Sequence, residues 1–152
     1  MPSVRRRRSR GASLIEVLTA CAILALLLGI GLPNTVALRQ PYLARAASRQ
    51  IEADLQRARM RAIGRNARYR VNFTAGGRYT IERETAPNSN AWVAEGGTQT
   101  IPRGVTLGAV TPNNPVFDTR GMLAANVSVP VSASGGHTRT VTVNVLGQTT
   151  IN

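Results

Sequence analysis

Residues 5–33 read RRRRSRGASLIEVLTACAILALLLGIGLP, and this stretch decides how the rest of the chain is organised. Five arginines are followed by Gly11 and then by about twenty apolar or small residues, interrupted by one charge at Glu16. Twenty helical residues rise about 1.5 Å each and together span roughly the 30 Å hydrocarbon core of a bilayer. The stretch therefore predicts a membrane-spanning helix.

The charges beside this segment predict its orientation. Short segments rich in arginine stay on the cytoplasmic side, so residues 34–152 are expected outside or in the periplasm. Glu16 has two interpretations. An acid in a membrane helix costs on the order of 3 kcal/mol at the centre, which favours a functional role with a charged partner. Alternatively, Glu16 lies near the cytoplasmic interface, where its side chain reaches water or pairs with Arg10.

The position of Glu16 is itself informative, because it is the fifth residue after Gly11 and the apolar run begins at Ala12. A secretory signal would instead end its apolar run in a small-residue cleavage site. In these features the segment resembles the type IV pilins and pseudopilins. The resemblance implies that prepilin peptidase cuts between Gly11 and Ala12, that Ala12 is methylated, and that Glu16 is needed for filament assembly. The family usually has phenylalanine where this chain has Ala12.

A physical reason supports that role. The freed amine of one subunit can pair with Glu16 of a neighbour and satisfy two charges that hydrocarbon would otherwise penalise. The partners implied are prepilin peptidase, the bacterial inner membrane, and the major and minor pilins or pseudopilins of a filament.

Composition limits the remaining possibilities. The chain has 152 residues, which leaves room for one modest domain beyond a long helix, and its formal net charge is +12. All 19 basic residues are arginine, and fourteen of them, with all seven acids, follow Gly11, so the processed chain has a charge of +7. One cysteine, Cys21, excludes an intrachain disulfide. With one histidine, His137, and scattered acids, we expect no metal or cofactor site.

Two prolines interrupt the helical region. Pro33 predicts a kink in a continuing helix, with a helix end as the alternative. Pro41 marks either a second bend or a restart at the first helical position. The sequence predicts four segments. These are a cleaved basic leader (1–11), a transmembrane half of the helix (12–33), an amphipathic half (34–66) and a β-rich domain (67–152).

The amphipathic half has two parallel stripes. One is apolar and is expected to carry the domain, and consists of Ile51, Leu55, Ala58 and Ala62. The other is basic, and consists of Arg57, Arg61, Arg65 and Arg68. Such a basic stripe is typical of a solvated face, and the alternatives are an acidic neighbouring subunit or phosphates.

Residues 55–66, LQRARMRAIGRN, run directly into the strand-like residues 69–73, YRVNF. This helix end resembles the GspH/FimT group of pseudopilins and minor pilins. Residues 116–121, VFDTRG, resemble the F-x-x-x-G turn found late in those domains. The resemblance implies a pilin-like α+β fold, in which a long N-terminal helix packs on a C-terminal antiparallel sheet domain.

Short β-strands are expected throughout the region after residue 66. Hairpins are predicted for 69–84 around Gly76-Gly77, for 91–101 around Gly96-Gly97, and for 127–145, where valines alternate on both strands. Residues 105–110 and 148–152 form further short stretches. Pro130 in the last hairpin implies a sheet edge or a bulge.

Three functions are weighed, and the first is a structural pilus or pseudopilus subunit. The second is binding of double-stranded DNA by exposed arginines, namely Arg68, Arg70, Arg78, Arg103, Arg120 and Arg139. DNA-binding FimT-like tails carry an arginine motif after a late glycine, whereas here Gly147 precedes Gln148-Thr149-Thr150. The third, an enzyme, rests only on Glu82 and Glu84 beside Arg78 and Arg83, so no catalysis is expected. The sequence leaves open which filament machine is served.

Overall fold

A computed structural model describes residues 13–31 and 34–152. The chain divides into two compact units, residues 1–37 and residues 38–152. The predicted processing site at Gly11 and Ala12 and the predicted kink at Pro33 lie outside the described residues.

Helix α1, Leu14–Gly31, lies in the first unit. The amide of Glu16 donates to the Ser13 carbonyl at 2.9 Å at the start of the helix, and the Thr19 hydroxyl donates to the Glu16 carbonyl at 2.9 Å. The side chains of residues 13–28 are all exposed. Within the described residues, no helix combines the length and the hydropathy that a membrane span requires.

Helix α2, Asn34–Arg65, runs through Pro41, so the predicted restart there is wrong. Its end has a glycine-free Schellman geometry. Asn66 adopts a φ of 49°, its amide donates to the Ile63 carbonyl, and the Ala67 amide donates to the Ala62 carbonyl. Since the helix ends at Arg65, Arg68 is not part of the helical stripe to which the sequence assigned it.

The predicted apolar face of α2 is confirmed. Ile51, Leu55, Ala58 and Ala62 are at most 1% exposed, and the buried face continues toward the start of the helix through Ala44, Ala47 and Ser48. Five of these seven side chains are alanine or serine, so α2 contributes mainly small side chains to the core.

The first antiparallel sheet packs around two long strands, β1 (Tyr69–Thr74) and β2 (Arg78–Glu84). The shorter strands are β3 (Trp92–Ala94), β4 (Gln99–Thr100) and β6 (Val116–Phe117), and the order is β3-β2-β1-β6. The predicted hairpin of residues 91–101 is wrong. Strands β3 and β4 do not pair with each other, because both pair with β2 along the same edge.

The second antiparallel sheet has the order β5-β7-β8-β9. Its strands are β5 (Val105–Leu107), β7 (Val127–Ala133), β8 (His137–Val143) and β9 (Thr149–Ile151). The predicted alternation is confirmed for the valines at 127, 129, 131, 141 and 143, which are at most 1% exposed. Val145 lies beyond β8 and is 37% exposed. Strand β5 ends at Leu107 rather than at 110.

Pro130 lies inside β7, which is an internal strand between β5 and β8, so the edge interpretation is wrong. A bulge in the strand of Pro130 itself is not observed, because β7 pairs with β8 without interruption from Val127 to Ala133, and the extra residue lies in the segment after β5. Leu107 pairs with Val131 and Thr111 with Ser128, so four steps of chain face three steps of β7. Pro130 has no backbone N–H to donate and sits opposite this irregularity.

The core lies between α2 and both sheets. Its largest buried side chains are those of Tyr69, Tyr79 and Phe117 from the first sheet, and valines supply the second. Trp92 is half-buried and stays outside this core. Burial of each large apolar side chain in the core contributes about 1.5 to 3 kcal/mol to the stability of the fold. The predicted α+β architecture is confirmed.

Candidate functional site

The Glu16 carboxylate is exposed in the first turn of α1. An acid in the first turn interacts favourably with the positive end of the helix dipole. Within the described residues, no salt bridge and no side-chain hydrogen bond involves the Glu16 carboxylate.

The basic stripe on α2 is exposed at Arg57 and Arg65, as expected for a solvated face, and its arginines also pair with acids of the same domain. Asp54 is 4% exposed, accepts a hydrogen bond from the Tyr79 hydroxyl at 2.6 Å and pairs with Arg57. Gln50 donates to the same hydroxyl at 3.2 Å. Burial and the adjacent Asp54 carboxylate raise the pKa of Tyr79, so the phenol stays protonated. Asp54 is therefore a buried acceptor that fixes α2 on β2.

A second tyrosine makes the same kind of contact. The Tyr69 hydroxyl donates to the Glu95 carboxylate at 2.6 Å, and burial together with this bond raises the pKa of Tyr69. The Arg65 guanidinium lies 2.6 Å from the other Glu95 oxygen, while Arg61 and Arg83 lie 3.9 Å from the carboxylate. Arg61 also donates to the Glu95 carbonyl at 3.1 Å. Glu95 thus joins the end of α2 to the segment between β3 and β4.

Glu82 and Glu84 share one face of β2, as predicted, and their ionic partners are Arg70 and Arg68 of the neighbouring segment. Arg70 Nε lies 2.5 Å from Glu82, and Arg68 Nη1 lies 3.0 Å from Glu84. Burial opposes ionisation of Glu82, but hydrogen bonds from Asn72, Arg70 and Thr80 outweigh it and lower the pKa of Glu82. Both carboxylates are fixed acceptors.

The Trp92 ring lies over the arginines of both ion pairs. The Arg70 guanidinium carbon lies 4.7 Å from the ring centroid, and that of Arg68 lies 5.7 Å from it. These distances are typical of cation–π contacts. The only tryptophan therefore orders two arginines on the sheet surface.

The F-x-x-x-G segment forms the turn that the sequence indicated. The Gly121 amide donates to the Asp118 carbonyl at 2.8 Å, and the Asp118 carboxylate accepts from the amides of Arg120 and Met122. The Arg120 side chain lies 3.2 Å from the same carboxylate. These bonds outweigh burial and lower the pKa of Asp118.

These contacts divide the six arginines that were predicted to contact DNA. Arg68, Arg70 and Arg120 are ion-paired with acids of the same domain. Arg78 and Arg103 are exposed, Arg139 is half-buried, and in residues 38–152 none of these three forms a salt bridge. DNA binding stays a prediction, and half of its proposed contacts are already neutralised.

Acids of the first sheet and of the turn after β6 also line a cleft. A cleft of about 590 Å³ lies between Arg68, the loop after β2 and Thr119. Its two carboxylates, Glu84 and Asp118, are already held by hydrogen bonds. Among the described residues, no group of three His, Cys, Asp or Glu side chains is placed to bind a metal ion.

Comparison with protein families decides the assignment. Residues 6–32 match the prokaryotic N-terminal methylation motif, and residues 47–147, more than half of the chain, match the type II transport protein GspH. The chain belongs to the GspH family. This family comprises structural pseudopilins and pilins, which are anchored in a membrane by the N-terminal helix and assemble into filaments.

Solved structures agree with the fold of this GspH-family chain. The minor pseudopilin EpsH from the type 2 secretion system of Vibrio cholerae has a TM-score of 0.60 at 15% identity, with 72% of this chain and 95% of that one covered. The type IV minor pilin FimU from Pseudomonas aeruginosa has a TM-score of 0.59 at 17% identity, with 71% and 87% covered. No curated protein sequence matches the chain.

Sequence reasoning missed the acids that organise the domain. Asp54 and Glu95 are the acceptors of both core tyrosines, but neither belongs to a recognisable motif. A weak signal was available for Asp54, which lies three residues before Arg57 on the same helix, but none for Glu95, which lies thirty residues after Arg65.

Proposed function

We propose that this GspH-family chain is a minor pseudopilin or minor pilin, a structural subunit of a type II secretion pseudopilus or a type IV pilus. The observation that carries the proposal is the order of the two family matches. A methylation motif at residues 6–32 directly precedes a GspH domain at 47–147 in one chain. Prepilin peptidase removes residues 1–11 by cutting after Gly11, and Ala12 becomes the methylated N-terminus.

The remaining chain has one anchor and one exported domain. Residues 12–33 cross the bacterial inner membrane once, and residues 34–66 and 67–152 lie in the periplasm before assembly. Pro33 bends the helix at the boundary between the membrane segment and residues 34–66. The sheets and α2 then present the surfaces that contact major and minor pilins or pseudopilins in the filament.

Glu16 is the assembly residue in this proposal. Its carboxylate is exposed on an apolar helix and has no ionic partner among the described residues. A neighbouring subunit's α-amine supplies the missing positive charge, and the low dielectric of a packed helix bundle strengthens that pair. The pair sets the register of one subunit against the next.

The first experiment measures the N-terminal mass of the protein recovered from membranes of a host with prepilin peptidase and from the same host lacking it. We expect a chain that begins at methylated Ala12 only when the peptidase is present. An intact N-terminus in both hosts, or a cut beyond Pro33, would refute the proposed processing.

The second experiment compares Glu16→Gln with Glu52→Gln, which removes an equivalent charge from the exported part of the chain. Both variants are scored for processing, for membrane recovery and for cross-linking into sheared filaments. We expect Glu16→Gln to be processed normally but to enter filaments at least tenfold less, while Glu52→Gln enters normally. Equal incorporation of the two variants would remove Glu16 from the assembly role.

A further inference from the structure

The arginines in residues 41–152 fall into two main groups. Seven are paired with acids, and these lie around the second half of α2 and the first sheet. Five others form no salt bridge within the described residues, and we name them the basic collar: Arg45, Arg49, Arg78, Arg103 and Arg139. Arg59 belongs to neither group, because its guanidinium donates to the Gly121 carbonyl.

The collar surrounds the part of the domain where α2 enters it. Arg139 lines a cleft together with Pro41 and Ala44 of α2. A Cβ placed on Gly104, the residue after Arg103, would lie 3.8 Å from the Leu43 side chain.

The two other collar positions lie on and beside α2 at the same end. Arg45 and Arg49 are exposed on the helix itself, one turn apart. Arg78 pairs in the β2–β4 ladder with Thr100, whose carbonyl accepts from Gln50 of α2 at 3.3 Å. All five arginines therefore lie near residues 41–50 of α2.

Acidic residues do not compensate this charge. The sequence has no acid in residues 17–51, 96–117 or 119–152. The nearest acid on the helix is Glu52, which follows Arg49 by three residues, is half-exposed and forms no ion pair in the described part of the chain. Five positive charges thus face one negative charge at this end of the domain.

An aromatic side chain belongs to the same surface. Tyr42 is 69% exposed and lies three and seven residues before Arg45 and Arg49, so the three side chains share one face of α2. Exposed tyrosine beside arginine is typical of the membrane interface, where an amphipathic ring sits at the level of the lipid headgroups.

The length of the connection favours a membrane as the partner. Pro41 and Arg45 lie seven and eleven residues after Asn34, the first residue of α2, which is a rise of about 10 to 16 Å. If residues 12–33 span the bilayer, these positions lie within one or two Debye lengths of its surface. DNA has no such tether, and it would have to reach this end of the domain beside the membrane.

We propose that the basic collar binds the anionic headgroups of the membrane that anchors the chain, and so holds the domain on the bilayer before it joins a filament. This inference rests on the proposed function, since it requires the N-terminal segment to be inserted. An anionic leaflet attracts arginine near its surface and strengthens binding by about fivefold per residue, and phosphate groups accept bidentate hydrogen bonds from its guanidinium.

The test uses the full chain in lipid nanodiscs, with Cys21→Ser to leave one labelling site. A spin label is placed at exposed positions of α2, either inside the collar with Ala46→Cys or about 21 Å further along with Met60→Cys. Access of the label to lipid-soluble oxygen is compared with access to a water-soluble nickel complex. One set of discs contains equal parts of phosphatidylglycerol and phosphatidylcholine, and the other contains phosphatidylcholine alone.

We expect the label at position 46, but not at 60, to gain oxygen access in the anionic discs only. The double variant Arg103→Gln with Arg139→Gln should lower the ratio of docked to undocked domain about 25-fold, because each arginine contributes about fivefold. The matched control, Arg83→Gln with Arg120→Gln, removes the same charge from ion-paired positions and should leave the ratio unchanged. Circular dichroism of each variant in the discs verifies folding.

Other outcomes overturn the inference in distinguishable ways. Failure of the chain to enter nanodiscs would refute membrane anchoring, and with it the proposed function. Insertion without a difference between the two lipid mixtures would refute the collar alone. Short duplex DNA that binds the inserted chain through the collar arginines, in discs where lipid has no effect, would assign the surface to nucleic acid.

Discussion

Two tyrosines carry the polar connections between the helix and the first sheet. Tyr79 and Tyr69 are fully buried, and each donates its hydroxyl to a carboxylate that also pairs with an arginine of α2. A buried hydroxyl without an acceptor costs about 1 to 3 kcal/mol. The Tyr79–Asp54 bond therefore penalises a shift of α2 along the sheet, and Glu95 connects Tyr69 to α2 through its ion pair with Arg65.

The Asp54 contact can be tested by substitution. We expect Asp54→Ala to lower the free energy of unfolding by about 2 to 3 kcal/mol, because the Tyr79 hydroxyl stays buried without an acceptor. Tyr79→Phe should cost about 1 to 2 kcal/mol, since Asp54 keeps Arg57. Urea unfolding of the purified chain measures both, and Glu52→Gln on the same helix should change stability by no more than about 0.5 kcal/mol. Equal stability of all three variants would contradict the assignment.

Glu82 predicts a pH dependence at the acid end. Its pKa is lowered from the ordinary value of 4.5, because the hydrogen bonds from Asn72, Arg70 and Thr80 outweigh burial. A lowered pKa in the folded state adds stability above about pH 4.5, and this stability is lost as the pH falls toward the folded-state pKa. In urea melts from pH 6 to about 3, we expect the acid decline of Glu82→Gln to be shallower. A slope identical to that of the parent would show that Glu82 does not contribute.

At the scale of elements, the turn at Gly147 packs against α2 with no room for a side chain. A Cβ on Gly147, whose φ is 76°, would lie 2.5 Å from Arg59 Nε and 2.7 Å from the Gly121 carbonyl oxygen. Gly76 has a similar φ of 81° but open space around it. Substitutions at the two glycines therefore distinguish the cost of backbone strain, which both share, from the cost of close packing, which only Gly147 has.

We expect Gly147→Ala to cost about 2 to 4 kcal/mol, from the left-handed backbone together with overpacking. Gly76→Ala should cost only about 1 to 2 kcal/mol, because it has the backbone term alone. Thermal unfolding of both variants against the parent gives the comparison. If Gly76→Ala proves as costly as Gly147→Ala, close packing against Arg59 is not the cause.

Elements with strong periodicity were predictable, and elements set by distant partners were not. The buried face of α2 and the valines of β7 and β8 follow directly from spacings of about 3.6 and 2 residues. The segment around Gly96-Gly97 looked like a hairpin turn locally. Arginines of α2 hold Glu95, and its amide donates to the Ile81 carbonyl at 2.8 Å, so both flanking strands stay on β2. No local pattern reveals those partners.

For the candidate site too, the sequence predicted some residues but not their contacts. Gly11, Ala12 and Glu16 were predicted from a resemblance in spacing, and their roles stay proposals. The arginines of the basic stripe were predicted to be solvated, and Arg57 and Arg65 are exposed, but the sequence did not reveal their acidic partners, because charge patterns along a sequence do not show which acids fold against them. The collar is visible only after these ion pairs have been assigned.

For the whole molecule, the division of the arginines limits nucleic-acid binding. We expect short duplex DNA to bind no more tightly than the nonspecific range of about 10⁻⁴ to 10⁻⁶ M. The logarithm of the binding constant should fall as the logarithm of the salt concentration rises. The slope should have a magnitude near 3, at about 0.9 per contact for Arg78, Arg103 and Arg139. Replacing these three by glutamine should abolish binding, while Arg120→Gln should leave it unchanged. Titrations at several salt concentrations give the slope, and a value above about 5 would mean that the ion-paired arginines also contact DNA.

The contacts of α2 extend along its length to both sheets. Gln50 and Asp54 hold it to β2, Gln56 donates to the Gly147 carbonyl and to Thr149 of the second sheet, and Arg65 reaches Glu95. These contacts span about 22 Å of helix. A force along the helix axis therefore loads these contacts in shear and in parallel. Both sheets share the load. A subunit built this way transmits force through its helix while its strands keep their pairing.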